Sequence, residues 1–444
     1  MHRLHPTPSV LDIARRLEDA GFAAWCVGGA IRDAFLGGEP LDWDLASPAT
    51  PEQVREIFGR RRTVPVGIEF GTVCVLDESG VPHEVTTFRR DVHTDGRHAV
   101  VEFGASLDED LARRDFTINA IAFRPATGEL RDPFGGQRDI AAGVVRAVGD
   151  AEQRMREDRL RALRAIRFAA RYQFAIEPAT YAALLSSAPH LARLSAERVQ
   201  QELVKTMEQV ECPGGALRLW RDTGALAALV PTLAGLDDLA TRTLDYLPRD
   251  GAGGRRVPQR TINRLAALFV DVPVGVVRDS LVALRFSRHD TSWIVAVAER
   301  WSVLRDRIET GLRAGTPTDV QVRRWLGEVG RMHAGAFLRV AGARWCAQRE
   351  AGLPAPGAAA VRSLHRALRS AQFSAAVEIG DLAIGGDDLR GAGIPPGPIY
   401  AKILHALLEY VLEVPARNTP QALLHELPRV IAEIGDASTT SPKH

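Results

Sequence analysis

Along the first 140 or so residues the apolar positions come in short, β-rich runs separated by glycine-containing turns. Phe70-Gly71-Thr72-Val73-Cys74-Val75-Leu76 and Pro82-His83-Glu84-Val85-Thr86-Thr87-Phe88 are two such runs, and Asp77-Glu78-Ser79-Gly80 between them predicts a hairpin. From about residue 140 the period changes. Leu, Ala and Arg recur at three- and four-residue intervals to the end of the chain, which predicts an almost wholly helical remainder. Gly251-Ala252-Gly253-Gly254, Pro354-Ala355-Pro356-Gly357 and the stretch from Gly391 to Pro398 punctuate that pattern as joints, and the polar residues from about Asp436 are expected to fray. The fold class is therefore α+β, a mixed head followed by helices.

Three fragments of the head carry chemistry. Val27-Gly28-Gly29-Ala30-Ile31-Arg32-Asp33 has two glycines that let a backbone turn approach a triphosphate, with Arg32 adding positive charge nearby. In Leu41-Asp42-Trp43-Asp44-Leu45 the spacing puts both carboxylates on one face if the segment is a strand, and Glu84 on a neighbouring strand supplies a third. Clustered carboxylates form a hard oxygen site suited to Mg²⁺, with Asp42 and Asp44 as its ligands. An Asp-x-Asp pair alone is more often a solvated turn; the ordered set points to nucleotidyl transfer, in which two Mg²⁺ ions clamp an in-line displacement. Glu84 is either a ligand or a positioning group.

Two further clusters follow. Asp110-Leu111-Ala112-Arg113-Arg114-Asp115-Phe116-Thr117-Ile118-Asn119-Ala120 offers Arg114 and Asn119 to a ribose or phosphate, and the glycines of Asp132-Pro133-Phe134-Gly135-Gly136 fit a sharp turn into the helical part. On a helix spanning Arg154 to Arg171, Leu160, Leu163, Ile166 and Ala170 group on one face at about 100° per residue, opposite Arg154, Asp158, Arg161 and Ala165. Asp158 and Arg161 are then neighbours at i and i+3, by itself the mark of a surface ion pair. Cytosine and adenine, however, both present an exocyclic amine beside a ring-nitrogen acceptor. An accepting Asp and a donating Arg select those two bases with one fixed pair and no template.

In order, Gly28-Gly29 with Arg32-Asp33, Asp42-x-Asp44, Glu84 in Glu-Val-Thr-Thr-Phe-Arg, Arg113-Arg114-Asp115-Phe116-Thr117-x-Asn119-Ala120, Asp132-Pro133-x-Gly135-Gly136, Glu157-Asp158-x-x-Arg161 and Glu197-Arg198 strongly resemble the class II tRNA nucleotidyltransferase and bacterial poly(A) polymerase family, from about residue 20 to 210. The resemblance implies a DNA polymerase beta-like nucleotidyltransferase head over 1–140, an all-helical neck for nucleobase selection over 141–215, a helical body over 216–350 and a tRNA-binding tail over 351–444. It also implies that Asp42 and Asp44 bind the metals, that Arg114, Asp158 and Arg161 contact the incoming CTP or ATP, and that the product is the 3′-terminal CCA of tRNA. Ile384-Gly385-Gly386-Asp387-Asp388-Leu389, Gly393-Ile394-Pro395-Pro396-Gly397-Pro398 and Leu404 with Leu407-Leu408 resemble the family's tail segment, which a plain helix-loop-helix also explains. Where many relatives carry His-Asp of a phosphohydrolase motif, this chain has Val270-Asp271, and an aliphatic side chain cannot ligate a metal.

Arg89-Arg90-Asp91-Val92-His93-Thr94-Asp95-Gly96-Arg97-His98 occupies the place of the family's flexible loop, which favours the switch from C to A, although the aromatic residue expected near Thr94 is missing. Poly(A) polymerases and CC- or A-adding relatives share the head motifs; Ser441-Pro442-Lys443-His444 shows no basic run of the kind poly(A) polymerases often carry. An inactive RNA-binding relative is disfavoured by the intact acidic residues.

Composition adds limits. With 45% hydrophobic and 25% charged residues the chain is an ordinary globular protein, and its net charge of +1 requires any RNA surface to be a local patch. Arg164, Arg167, Arg171, Arg193 and Arg198 are the candidates for that surface, against the plainer reading of solvated helix faces. Cys26, Cys74, Cys212 and Cys346 have no zinc spacing and read as buried free thiols of a reducing cytoplasm. There is no leader-like segment and no apolar run near twenty residues, so membrane insertion is not expected. Oligomeric state is open.

Overall fold

The computed structural model describes residues 4–40, 42–94, 99–248 and 258–439. They form two compact units, one of residues 1–236 with 283–285 and the other of 237–282 with 286–444.

The first unit is built on a seven-stranded mixed sheet. Its strands are β1 (Trp25–Val27), β2 (Asp44–Ser47), β3 (Thr63–Pro65), β4 (Thr72–Leu76), β5 (Pro82–Thr87), β8 (Ala122–Arg124) and β9 (Glu129–Arg131), in the order β3-β4-β5-β2-β1-β8-β9. Only β2 and β5 are parallel; the other pairs are antiparallel. The β4–β5 hairpin forms as its alternation predicts, closing at Leu76 opposite Pro82, and the Asp77 carboxylate accepts the backbone N–H groups of Ser79 and Val81 inside the turn. Arg89–Thr94 (β6) and Ala99–Phe103 (β7) pair as a separate ribbon, so the expected flexible loop is mostly strand; residues 95–98 of it lie outside the described residues.

Helices α1 (Pro8–Asp19), α2 (Gly29–Phe35), α3 (Pro51–Phe58), α4 (Leu107–Ala112) and α5 (Gly136–Ala142) accompany the sheet. Capping boxes Thr50/Gln53 and Ser106/Glu109 start α3 and α4. Val10, Ile13, Ala14 and Leu17 bury one stripe of α1, at roughly 1.5–3 kcal/mol for each large aliphatic side chain. The Asp132-Pro133-Phe134-Gly135-Gly136 segment is the sharp turn its composition predicts. Gly135 has φ +72°, and the Asp132 carboxylate accepts from the backbone N–H of Gly136 at 2.7 Å and Gln137 at 2.9 Å. After it come the short strands β10 (Val144–Val145) and β11 (Ala175–Ile176) and the helices α6 (Ala151–Glu157), α7 (Leu160–Tyr172), α8 (Pro178–Ser187), α9 (Ala196–Gln209), α10 (Pro213–Asp222) and α11 (Ala225–Leu229).

The second unit is helical: α12 (Asp238–Asp245), α13 (Pro258–Phe269), most of α14 (Val274–Ala283), α15 (Arg288–Ala314), α16 (Asp319–Val329), α17 (Arg331–Glu350), α18 (Ala358–Ser374), α19 (Gly386–Gly391), α20 (Ile399–Glu413) and α21 (Pro420–Thr439). Pro354 to Gly357 joins α17 to α18, as expected, whereas Gly251 to Gly254 lies outside the described residues. The tail-like segment folds as helices around Leu389, Leu407, Val411, Leu423 and Leu427. Helix α21 runs to Thr439, past the point where fraying was expected. Val270 is buried and Asp271 is neutralised by Arg344 at 2.7 Å and Arg305 at 3.4 Å, so the degenerate phosphohydrolase position is a structural ion-pair site. All four cysteines are free; Cys26 and Cys74 are buried, but Cys212 is exposed, against the expectation that all four are buried.

Gly136 is the tightest packing point of the turn below the sheet. A Cβ there stands 2.2 Å from the Thr117 carbonyl oxygen and 2.7 Å from Ile121 Cγ1, and neither is the free end of a flexible side chain. Gly136→Ala is therefore expected to cost about 3 kcal/mol, the upper part of the overpacking range, read as a lowered urea midpoint against the parent chain. An unchanged midpoint overturns this account.

Candidate active site

The carboxylate edge follows from strand register. Leu45 pairs with Val85, and both are buried. Asp44 and Glu84 stand one residue earlier on the same parallel strands, so they share the opposite face, and both are exposed. Asp42 does not lie on that strand. The β1–β2 ladder ends at Val27 opposite Asp44, because Gly28 turns the chain away with φ +78°. What fixes Asp42 is Trp43, which is buried and donates its indole N–H to the Pro40 carbonyl at 2.8 Å. The expectation of one strand face is corrected to a buried tryptophan flanked by two exposed aspartates.

The Asp44 carboxyl is pushed up to about 6, first by desolvation, then by the charges of Glu84 and Asp42, against the pull of Arg114. Acidic groups that repel one another at an accessible edge form a donor set that a hard divalent cation relieves, so the residues fit Mg²⁺. Among the described residues no three His, Cys, Asp or Glu side chains are gathered into a metal cage. The expected three-carboxylate cluster is therefore not assembled among the described residues, and a Mg²⁺ ion at this edge would take most of its ligands from water and substrate phosphates.

Asp44 opens onto a recess of about 460 Å³. Gly28 and Gly29 form one wall; the φ of +78° favours glycine at Gly28, and a Cβ there stands 2.9 Å from Arg114 Nη1, so it would displace the end of that side chain. Arg32 is buried, donates to Asn119 Oδ1 at 2.5 Å and to Asp33 at 2.9 Å, and lies 4.8 Å from the Tyr172 ring and 5.1 Å from Phe168. Arg114 donates to Asp110 at 3.3 Å and to the Asn119 carbonyl at 3.4 Å, and its Nε–H is buried without a partner.

Asp158 and Arg161 both line this recess, but not as one helix face. Helix α6 ends at Glu157, Asp158 is extended at φ −148° and ψ 105°, and α7 starts at Leu160. The reason is capping: Asp158 Oδ1 accepts the Leu160 N–H at 3.0 Å. Its Oδ2 accepts from Arg198 at 2.7 Å. Arg161 pairs instead with Glu157 at 2.8 Å and donates to the carbonyls of Arg154 and Arg113 at 3.0 and 2.9 Å. A guanidinium has five N–H groups and a carboxylate about four acceptor sites, so both keep capacity for a base edge. Helix α7 is also buried nearly all round, Ala165 included, which corrects the two-faced expectation.

The arginines assigned to an RNA surface are mostly used internally. Arg167 is buried against Glu202 at 2.7 Å, Arg171 is tied to Gln209 at 3.1 Å, Arg198 holds Asp158, and Arg164 lines the recess; only Arg193 of the five is exposed. The expected patch is corrected accordingly. Sequence reasoning missed Arg113, Asp115, Arg164 and Phe168 as recess residues. The signal was spacing, since Arg164 follows Arg161 by three and Phe168 follows Arg164 by four. Asp115 is buried. Burial raises its carboxyl, but the Arg164 charge, the hydrogen bonds from Asn119 and Arg164, and the Phe116 N–H outweigh it and hold the group at about 2.

Residues 24–146 match the Poly A polymerase head domain model, and 173–236 match the model described as the probable RNA and SrmB-binding site of polymerase A. A CCA-adding enzyme of Latilactobacillus sakei is 35% identical over 93% of this chain and 96% of its own length. The chain belongs to the CCA-adding enzyme family. The Leuconostoc mesenteroides CCA-adding enzyme is 51% identical over 44% of this chain, a match that spans only about half of that relative's length, 48%. Among solved structures, the Bacillus stearothermophilus CCA-adding enzyme in complex with CTP superposes with TM-score 0.73 at 32% identity, covering 96% of this chain and 99% of that one. No helix of the described residues is long and apolar enough to cross a membrane.

The Asp115 carboxyl sits below its unfolded value of about 3.9, so the stability it contributes is full above that pH and is lost as pH falls toward about 2. Asp115→Asn is expected to lower stability at pH 7 by about 3 kcal/mol, by leaving Arg164 half-buried and unpaired. The gap between parent and variant should narrow as pH drops from 4 to 2 in chemical denaturation. A gap independent of pH in that window contradicts the ion-pair account.

Proposed function

We propose that this chain adds CCA to the 3′ end of tRNA without a nucleic-acid template, using CTP and ATP. The observation that carries the reading is that Asp44 and the base-edge pair Asp158 and Arg161 line one recess, so the transferring phosphorus and the selected base belong to one bound nucleotide. In each step the tRNA 3′-oxygen forms a bond to the α-phosphorus, the bond from that phosphorus to the β-bridging oxygen breaks, and pyrophosphate leaves.

In this reading Asp42 and Asp44 hold Mg²⁺. When bound, the cations neutralise triphosphate charge and favour ionisation of the attacking hydroxyl. Glu84 orients the carboxylate edge. Gly28 and Gly29 admit the triphosphate, Arg32 and Arg114 supply it with positive charge, and Asn119 fixes Arg32 from the opposite wall. Asp158 accepts from the exocyclic amine of cytosine or adenine, and Arg161 donates to the adjacent ring nitrogen. Bases with the reverse pattern set an acceptor against Asp158 and a donor against Arg161, and the site rejects them. The protein works in the cytoplasm, where tRNA is made and the free thiols stay reduced.

The test is incubation of the purified chain with Mg²⁺ and tRNAs ending before CCA, after C and after CC, with CTP and ATP singly and together. Completion to CCA followed by arrest is expected. Long A tails mean a poly(A) polymerase, CC alone or A alone a partial enzyme, and no incorporation removes the catalytic reading. Asp42→Ala and Asp44→Ala should each lower incorporation by roughly 10³-fold or more without changing the circular dichroism melt. An active Asp42→Ala or Asp44→Ala chain excludes that residue from the site.

A further inference from the structure

The helical unit carries a second recess, of about 800 Å³, that the reaction does not use. Trp293 on α15 is its aromatic floor, with His289 stacked 6.4 Å away at 20° and His333 at 4.8 Å. The Trp293 Nε1–H is buried and has no acceptor. Two large apolar side chains stand at the rim almost entirely in solvent, Met332 at 76% and Phe373 at 85% exposure. A solvent-facing phenylalanine and a half-buried indole with an unused donor, both lining one recess, describe a surface suited to a flat, partly polar ring.

Phe373 also ends a stripe. On α18, Arg362, Arg366, Arg369 and Phe373 follow at i, i+4, i+7 and i+11, which falls within about 60° of one helical face. Val361, Leu364 and Leu368 form the buried face opposite. All three arginines are exposed, and none has a carboxylate partner among the described residues. Arg339, exposed on α17 at the recess, donates only to the Gly335 carbonyl, while Arg331 is committed to Asp381. The acid at the recess is Asp290, which is occupied by Ser287 and His289. The guanidinium positions step along the helix by about 6 and 4.5 Å, longer than the roughly 3.4 Å axial phosphate repeat of a duplex strand and so closer to the wider spacing of an unstacked one.

We propose that α18 tracks the phosphates of an unpaired stretch of the substrate RNA and that the Trp293 recess takes one of its unstacked bases between Phe373 and the indole. This rests on the tRNA reading above and adds to it a specific site for looped RNA in the helical unit. The polyanion is favoured over an apolar protein partner by the row of unneutralised arginines leading to the ring.

The parent chain, the triple variant Arg362→Ala/Arg366→Ala/Arg369→Ala, and the single variant Phe373→Ala are compared for binding of full-length tRNA and of a blunt acceptor duplex with a short 3′ overhang, at several salt concentrations. The triple variant should weaken tRNA binding and flatten the salt slope by about 0.7–0.9 for each lost phosphate contact. Phe373→Ala should weaken tRNA binding roughly ten- to hundredfold with an unchanged salt slope, and should affect the duplex little. With saturating tRNA the kcat of CTP incorporation should stay at the parent value while KM rises. Equal tRNA affinities at all salts overturn the proposal, as does equal loss on duplex and tRNA for Phe373→Ala, or a change of oligomeric state with tRNA affinity intact. Failure of the parent to incorporate nucleotides, with tRNA binding still sensitive to these variants, instead rejects the catalytic reading and leaves this site standing.

Discussion

The buried carboxylate of Asp115 is the constraint on which the catalytic unit depends. It follows the α4 turn that also carries Arg113 and Arg114, and it reaches across to Arg164 on α7 at 2.6 Å. Asn119 joins through the same carboxylate at 2.9 Å and passes the order on to Arg32. One charge therefore fixes three elements: the turn that supplies Arg114, the helix that supplies Arg161, and the Gly-Gly turn beside Arg32. A buried pair of this kind adds little net stability compared with an apolar equivalent, and is strongly costly to break. Its value here lies in geometry, since all three elements meet at the recess.

The same logic explains why α7 is charged where its surroundings are buried. Arg32, Arg164 and Arg167 lie 5.1, 5.3 and 4.5 Å from the Phe168 ring. Each guanidinium has its own carboxylate, Asp33, Asp115 or Glu202, so none is an unpaired buried charge. The flat ring lies against all three cations, and its π electrons offset part of their mutual repulsion. A recess that gathers several guanidinium groups has to keep them close together without collapse, and an aromatic spacer with individual counter-ions does so without emptying the site of charge.

The legible parts of this molecule were those encoded by local periodicity and turn chemistry. The β4–β5 hairpin, the Asp132 turn and the change to helices near residue 140 all follow from neighbours in the chain. The carboxylate edge was legible in its residues but not in its geometry, because Asp42 is held by the long-range burial of Trp43 and not by strand alternation. The arginines were misread for a related reason. Exposed and buried arginines look alike in sequence, and only the partners Glu202, Asp115 and Asp158, which come from 35 to 49 residues away, turn Arg167, Arg164 and Arg198 inward. The α18 stripe was written in plain i, i+4, i+7 spacing, yet its meaning needed the knowledge that no acid among the described residues pairs with it.

The break at Asp158 keeps the two groups proposed to read the base from pairing with each other. On a continuous helix Asp158 and Arg161 stand at i and i+3, where an acid and a base bond each other and satisfy their polar edges together. Ending α6 at Glu157 removes that option. Asp158 turns to Arg198 and the α7 N-terminus, and Arg161 takes Glu157 and two carbonyls. Each group is then held rigid by partners on one side and keeps acceptors or donors on the other, facing the recess. An aspartate placed where it must cap a helix, and so cannot enter it, keeps the pair from neutralising itself.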